Sequence, residues 1–406
     1  MSLKSSLRKI LEKQLAKYGY RLEKSLSLNS DETMTERYDF VMDRREIPFS
    51  KEEYEAQPAG SYSLAWIIPP FGPGLGGHRT IFRTISYLQK KGIRNRIYIY
   101  GGNKNASTED MKNIINRDYG FDVGDEIYAS ADDMKFAHGV VATSWQTAYV
   151  LRNFNNCISK FYFVQDFEPY FYPRGSEYLL AENTYRFGFR GITAGHWLDE
   201  KLRDEYGMDT CGFGFSYDKE LYRVHEKKDD VNRIFLYARP HTERRAFDIA
   251  VLALEELARH MEIQVRMAGQ EFDGYRFDFL YENLGVLGLD EMSAVYGQCD
   301  FCFVLSATNI SLLPTEIMAS GSVCLTNAGE NNAWMVNDEN SILVGSDPVE
   351  IASTMQYYLE HKEQLSPKRK NGLSYVEETS WDKELEIVYN YVLSSFSEDE
   401  LRKEKL

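Results

Sequence analysis

Apolar residues change their spacing along this chain, and each change marks an element. Leu3, Leu7, Ile10, Leu11, Leu15, Tyr18 and Leu22 recur every three or four residues, the period of one helical face. Lys4, Arg8, Lys9, Lys13, Lys17, Arg21 and Lys24 fill much of the remainder. Residues 1–26 therefore read as a basic amphipathic helix. Such a helix packs on protein or lies on an anionic membrane surface. Residues 27–60 are polar, weakly periodic, and read as an irregular connector.

From Ser63 onward short apolar runs alternate with helical patterns. Strands are predicted at 64–69, 95–100, 139–144, 160–165 and 190–194, and helices at 78–91, 145–153, 177–186 and 196–206. A second series has strands at 233–238, 263–268, 285–287, 301–305, 322–326 and 342–344. Its helices fall at 243–260, 291–296, 314–320 and 349–361, and a last amphipathic stretch covers 381–394. Charged residues 226–230 lie between the series and are the expected hinge. Alternation of this kind predicts an α/β chain with mostly parallel sheets covered on both faces. The expected layout is a helix and connector at 1–60, doubly wound domains at 61–225 and 226–380, and a final helical segment at 381–406. Ligands of such domains bind where strand C-terminal ends face a cleft.

Length agrees, since 406 residues exceed one ordinary core. The net charge of −15 argues against general nucleic-acid binding, which needs a basic surface. A local basic pocket remains compatible with it. The 28 tyrosines suit stacking on sugar faces or ordinary core filling. Five cysteines make no disulfide framework, so a reducing cytoplasm is expected. Cys299 and Cys302 have CxxC spacing, but Cys302 sits in an apolar run without a second pair, and both read as buried small hydrophobes. Neither a membrane-spanning run nor a signal-peptide core is evident.

The candidate chemistry falls at strand ends. After the first strand comes Pro70-Phe71-Gly72-Pro73-Gly74-Leu75-Gly76-Gly77-His78-Arg79, where glycines let a backbone approach a ligand and a helix N-terminus attracts anions. His78 and Arg79 touch substrate or merely begin a solvated face. After the fourth comes Gln165-Asp166-Phe167-Glu168, whose carboxylates orient or deprotonate an acceptor hydroxyl, or cap a loop. The second series offers Arg239 at a strand end and Arg244 in the next helix's first turn. Arginine forks suit a diphosphate; local salt bridges are the alternative. Thr308, Asn309, Ile310, Ser311 and Leu312 then lead into a helix carrying Glu316, either a ribose anchor or a helix-dipole partner. No HExxH, GxSxG or P-loop lysine motif occurs, and no His/Asp cluster suggests a metal.

Together these motifs resemble the family four glycosyltransferases over roughly residues 62–395. The resemblance implies the GT-B fold, two Rossmann-like domains facing a central cleft, with the final helix crossing back to the first domain. It implies that Gly76 and Gly77 approach a nucleotide-sugar donor and that Arg239 and Arg244 hold its diphosphate, Arg244 standing where the family has lysine. Gly269 matches the glycine of a loop beside the nucleotide. Glu316-Ile317-Met318-Ala319-Ser320-Gly321 matches the segment that binds ribose hydroxyls. The family's earlier glutamate is Thr308 here, which a 6-deoxy sugar tolerates better than a hexose does. Residues 237–249 and the Gln165-Asp166 pair look most like WsaF-type rhamnosyltransferases of bacterial surface (S-layer) glycan assembly.

That subgroup implies retaining, metal-independent transfer from dTDP-β-L-rhamnose to a lipid-linked rhamnan, with Arg239, Arg244 and Asp166 as the catalytic set and no cofactor. The enzyme would be cytoplasmic, with residues 1–26 touching the inner membrane surface. Other readings are a transferase using another nucleotide-sugar, a nucleotide-sugar isomerase, and a non-catalytic carbohydrate-binding subunit of an assembly complex.

Overall fold

The computed structural model describes residues 33–72, 76–102, 105–269 and 274–403, with side chains as far as Ser397. The basic helix expected at 1–26 lies outside the described residues. Met1–Arg45 and Glu46–Leu406 are separate compact units. In the first, Met34–Arg37 is a single helical turn closed by a capping box between Thr33 and Glu36, and Asp39–Met42 is another.

Among the described residues of Glu46–Leu406, two wholly parallel sheets form. The first contains β1 (Ser63–Ile68), β2 (Arg94–Ile99), β3 (Ile127–Tyr128), β4 (Ala137–Ala142), β5 (Cys157–Val164), β6 (Arg190–Ala194) and β7 (Thr210–Phe213), in the order β3-β2-β1-β4-β5-β6-β7. The second contains β8 (Arg233–Tyr237), β9 (Gln264–Ala268), β10 (Leu280–Gly285), β11 (Phe301–Phe303), β12 (Cys324–Asn327) and β13 (Ser341–Val344), in the order β10-β9-β8-β11-β12-β13. Both orders reverse beside their first strand, the topological switch that opens a ligand crevice. This is the GT-B architecture.

β1 and β4 are buried at every position, as strands covered on both faces must be. The Trp145–Arg152 helix starts at a Ser144–Thr147 capping box, and the His196–Tyr206 helix stops at Gly207 in left-handed backbone. One apolar cluster runs from Trp66 and Phe82 through Phe215 and Tyr222 to Phe235 and Ile317. It spans both sheets and makes them parts of one unit. Residues 226–230 are tied down beside the second sheet: Lys227 lies 3.1 Å from Asp300, and Gln298 donates to the Glu226 carbonyl.

The helix Trp381–Lys403 packs on β5 and β7 of the first sheet. Phe396 stacks on Tyr62 with ring centroids 5.0 Å apart, and the Gly214 amide donates to Glu384. The helix seats closely because β4 has glycine beneath it. A Cβ at Gly139 would lie 2.6 Å from Leu64, 2.8 Å from Phe161 and 3.0 Å from Phe396.

The differences from the sequence reading have local causes. β3 and β7 are too short to carry a period, and β7 contains Gly212. The strand expected at 285–287 is displaced to β10, an edge strand whose first four residues are exposed, so burial imposes no pattern on it. The helix expected at 243–260 starts only at Phe247, because Ala246 adopts φ 46°. The helix Leu365–Glu378 was not foreseen; only Leu365, Gly372 and Val376 are buried in it, which leaves little periodic contrast.

Gly139→Ala adds a methyl group where no space exists. It is expected to lower the urea midpoint by an amount equivalent to about 1–3 kcal/mol. An unchanged midpoint would mean that the last helix does not seat on β4.

Candidate active site

The candidate residues gather at the C-terminal ends of β1, β5, β8 and β11, in two groups. The first is built around Asp166, immediately after β5. Its carboxylate accepts from the Thr308 hydroxyl at 2.7 Å and from the Asn309 backbone N–H at 2.8 Å, across from the loop after β11. The Asn309 side-chain amide donates to the Gln165 and Ala194 carbonyls, at 2.9 and 2.8 Å. Four hydrogen bonds thus clasp one sheet to the other. Thr308, Asn309 and Ile310 are buried, and the two polar side chains face the first sheet.

The second-sheet loop is held rigidly for this task. Asn327 and Asn331 both donate to the Ser306 carbonyl, at 2.9 and 3.0 Å. Trp334 donates to the Asn309 side chain and packs against Gly195, where a Cβ would come within 2.6 Å of the indole. Gly195 also has φ 93°, so both backbone and space require glycine.

Three arginines adjoin the clasp. Arg239 donates to the Tyr237 hydroxyl at 3.0 Å and lies over that ring. Arg244 stacks on Phe171 at 4.3 Å and approaches Asp166 at 3.8 Å; its Nε is buried without a hydrogen-bond partner. Arg245 donates to Ser306 at 3.1 Å, and burial together with its two arginine neighbours presses its pKa down. Arg244 is not in a helix's first turn as expected: both neighbours ride a tight turn, Glu243–Arg245, which Ala246 closes in left-handed backbone. Ala246 is the one non-glycine residue with positive φ among the described residues, a strain of a kind that clusters at functional sites. Burial raises the Asp166 pKa, against its hydrogen bonds and Arg244, which lower it.

Gly77 borders this group: a Cβ there would lie 3.4 Å from the Gln165 side chain. Gly76 is exposed, with no group within 4 Å of such a position. Gly269 has φ 131° and abuts the Ala238 carbonyl and the Tyr237 ring. Ser311 accepts from the Leu313 amide, and the Leu312 carbonyl accepts from Glu316 N–H.

Glu316 belongs to a second group. Burial pushes its pKa up to about 7; the Tyr222 hydroxyl and the Arg79 and Arg83 guanidinium groups oppose the rise, and Asp218 adds to it. The Tyr222 hydroxyl is buried and completes no hydrogen bond of good geometry. Arg79 and Arg83 both clamp Asp218, at 2.9 and 2.8 Å. Arg79 is therefore a structural cation here, and His78 packs on Phe71 and Phe82.

Glu168 resolves the other open pair. It is buried, accepts from Tyr162 at 2.7 Å and from the Trp145 amide at 2.8 Å, and so caps the Trp145–Arg152 helix. The sequence reading missed Arg245, Tyr237 and the Tyr222–Asp218 pair. The adjacent Arg244-Arg245 was the available hint.

Two parallel sheets of this order, with basic residues at the cleft, make the GT-B fold. Solved structures agree. Sucrose-phosphate synthase from Thermosynechococcus elongatus superposes with a TM-score of 0.64 at 13% identity, covering 83% of this chain and 99% of that one. HepE from Anabaena, in complex with UDP-glucose, gives 0.61 at 12%, covering 82% and 99%. Two segments of the chain are similar to a known family: the WsaF N-terminal domain matches residues 123–194 and the WsaF C-terminal domain residues 232–356. The O-antigen biosynthesis protein RfbC of Myxococcus xanthus is 29% identical over 346 residues, which are 82% of this chain and 27% of that protein. The chain thus spans about a quarter of that relative's length.

Glu168 supplies a stability test. Its pKa rises through burial from the ordinary 4.5 to about 7. Between those values the folded chain keeps a proton that the unfolded chain releases. Its stabilising contribution is full below pH 4.5 and is lost as pH rises to about 7. The full excursion is on the order of 3 kcal/mol. Urea unfolding at pH 5 and pH 7.5 should show a smaller loss for Glu168→Gln than for the wild type; equal losses would count against a buried, protonated Glu168.

Proposed function

We propose that the protein transfers L-rhamnose from dTDP-β-L-rhamnose to a growing, lipid-linked rhamnan-type surface glycan, with retained anomeric configuration and without a metal ion. The observation that carries this reading is the charge balance at the cleft. Arg239, Arg244 and Arg245 stand together, and Asp166 is the carboxylate that approaches them. A cluster with surplus cations and a buried Arg244 N–H that completes no hydrogen bond calls for an anion. A departing nucleoside diphosphate supplies one, and preset donors of this kind lower the barrier to its departure by several kcal/mol.

In this reading Gly76 and Gly77 let the first sheet's loop approach the donor, Gly269 borders the nucleotide, and Glu316 anchors the ribose. The Ser311–Leu312 turn lies beside the phosphates. A leaving phosphate oxygen takes the acceptor proton on the same face. Both Asp166 oxygens are already engaged, so Asp166 positions: it holds the cleft shut and sets Arg244. Thr308, spent on Asp166, offers no carboxylate to a hexose hydroxyl, which favours a 6-deoxy sugar. The WsaF-like halves and the name of the Myxococcus relative, an O-antigen biosynthesis protein, support a surface-glycan product. Among the described residues no helix is long and apolar enough to cross a membrane. A peripheral site at the cytoplasmic face, reached through residues 1–26, fits a lipid-linked acceptor.

The test is a panel of nucleotide-sugars with and without a rhamnose-terminated acceptor, in EDTA. Acceptor-dependent release of dTDP from dTDP-rhamnose is expected, and Arg239→Ala should lower kcat at saturating donor about a hundredfold. Use of a UDP-hexose would overturn the donor assignment. Binding without turnover would indicate a carbohydrate-binding subunit, and an unchanged kcat in Arg239→Ala would remove the diphosphate role.

A further inference from the structure

The loop after β5 ends in an aromatic residue, Phe171, that leaves 37% of its surface exposed. It belongs to a single tight turn, Glu168–Phe171, whose start is firmly anchored. Pro169 fixes one of the turn's φ angles. Glu168 caps the Trp145–Arg152 helix, and its own amide donates to the Tyr185 hydroxyl at 3.1 Å. Phe167, just before the turn, is buried between Tyr185 and Tyr170, with ring centroids 5.4 and 4.7 Å away. The turn therefore delivers Phe171 to a fixed place.

That place is against Arg244, whose guanidinium carbon lies over the ring, 4.3 Å from its centroid. The contact joins the first sheet's loop to the turn Glu243–Arg245 of the second.

Arg244 needs such a hold. Arg239 and Arg244 both act on Arg245 as like charges, and repulsion within such a group pushes a long side chain outward. Asp166 attracts Arg244 from 3.8 Å, beyond hydrogen-bond range, while its oxygens accept from Thr308 and Asn309. An aromatic ring suits the remaining task. Its face attracts a guanidinium electrostatically and takes no conventional hydrogen bond from it. A carboxylate in the same place would consume two N–H donors in a bidentate pair. The Arg244 side chain stays 32% exposed beside the ring, so the cation is held and still open to the cleft.

We propose that Phe171 is the positioning residue for Arg244: a ring from the first sheet holds the second sheet's guanidinium where it meets the donor's diphosphate. This rests on the diphosphate reading above and goes beyond it. Donor affinity then depends on a residue from the opposite side of the cleft.

The experiment is a double-mutant cycle between Phe171→Leu and Arg244→Ala, read by calorimetric binding of dTDP to the full chain in EDTA. UDP replaces dTDP if the wild type binds only UDP. Arg244→Ala should weaken binding about tenfold or more, the worth of a charge-assisted hydrogen bond. Phe171→Leu keeps apolar bulk and loses the π face. It should weaken binding about fivefold while Arg244 is present and add nothing once Arg244 is gone. Phe171→Trp restores a π face and should bind within about twofold of wild type, whereas a mere packing role would favour leucine over the larger indole. A loss in Arg244→Ala with none in Phe171→Leu would overturn the positioning role and leave the diphosphate reading standing. Equal losses from Phe171→Leu with and without Arg244 would do the same, as would a Phe171→Trp no better than Phe171→Leu. Full binding by Arg244→Ala, or no binding of either nucleotide to the wild type, would overturn the diphosphate reading and the positioning role with it.

Discussion

The Asp166 carboxylate holds the cleft together. It ends a strand of one sheet and takes a hydroxyl and a backbone N–H from the loop that ends a strand of the other. A buried carboxylate without such partners is costly. Its presence at the junction therefore dictates much around it. Thr308 and Asn309 must face it, the asparagines at 327 and 331 must fix their loop, and Arg244 must come near. Apolar contact across the same junction, from Phe215 to Trp334 at 5.3 Å, supplies area but little direction. Hydrogen bonds supply the register.

Charge is arranged against the composition. An acidic chain gathers guanidinium groups at two places, one beside Asp166 and one clamped on Asp218. Around Tyr237 the arginines outnumber the carboxylates near them, which leaves room for an anionic substrate. Around Asp218 two arginines share one carboxylate and serve packing. The same residue type thus has opposite roles a short distance apart, and only the partner list separates them. Glu316 and Glu168 make the same point: burial raises both to about 7, yet one stands among Tyr222, Asp218 and two arginines and the other caps a helix.

Much of this was legible in the chain. Continuous apolar runs such as Leu64 to Ile68 can only be buried strands or helices, and alternation with helical periods selected parallel sheets. Gly77 and Arg239 follow the strands expected before them, and Glu316 lies in the expected helix, here Leu313–Ala319. What escaped notice depends on distance along the chain or on weak burial. The clasp joins residues 142 and 143 positions apart, which no local pattern encodes. β10 is an exposed edge and carries no period. Arg244 was misplaced by a turn because an alanine in left-handed backbone gives no compositional cue, unlike glycine. Glu168 reads from sequence as either an acceptor-orienting carboxylate or a cap, and its bonds to Trp145 and Tyr162 make it the cap.

A double-mutant cycle between Asp166→Asn and Thr308→Val, read by urea unfolding, addresses the clasp directly. If the two side chains bind each other across the cleft, the paired change will cost less than the sum of the single changes by about 1–3 kcal/mol. Additivity to within about 0.5 kcal/mol would contradict the clasp, and with it the placement of Arg244 at the candidate diphosphate site.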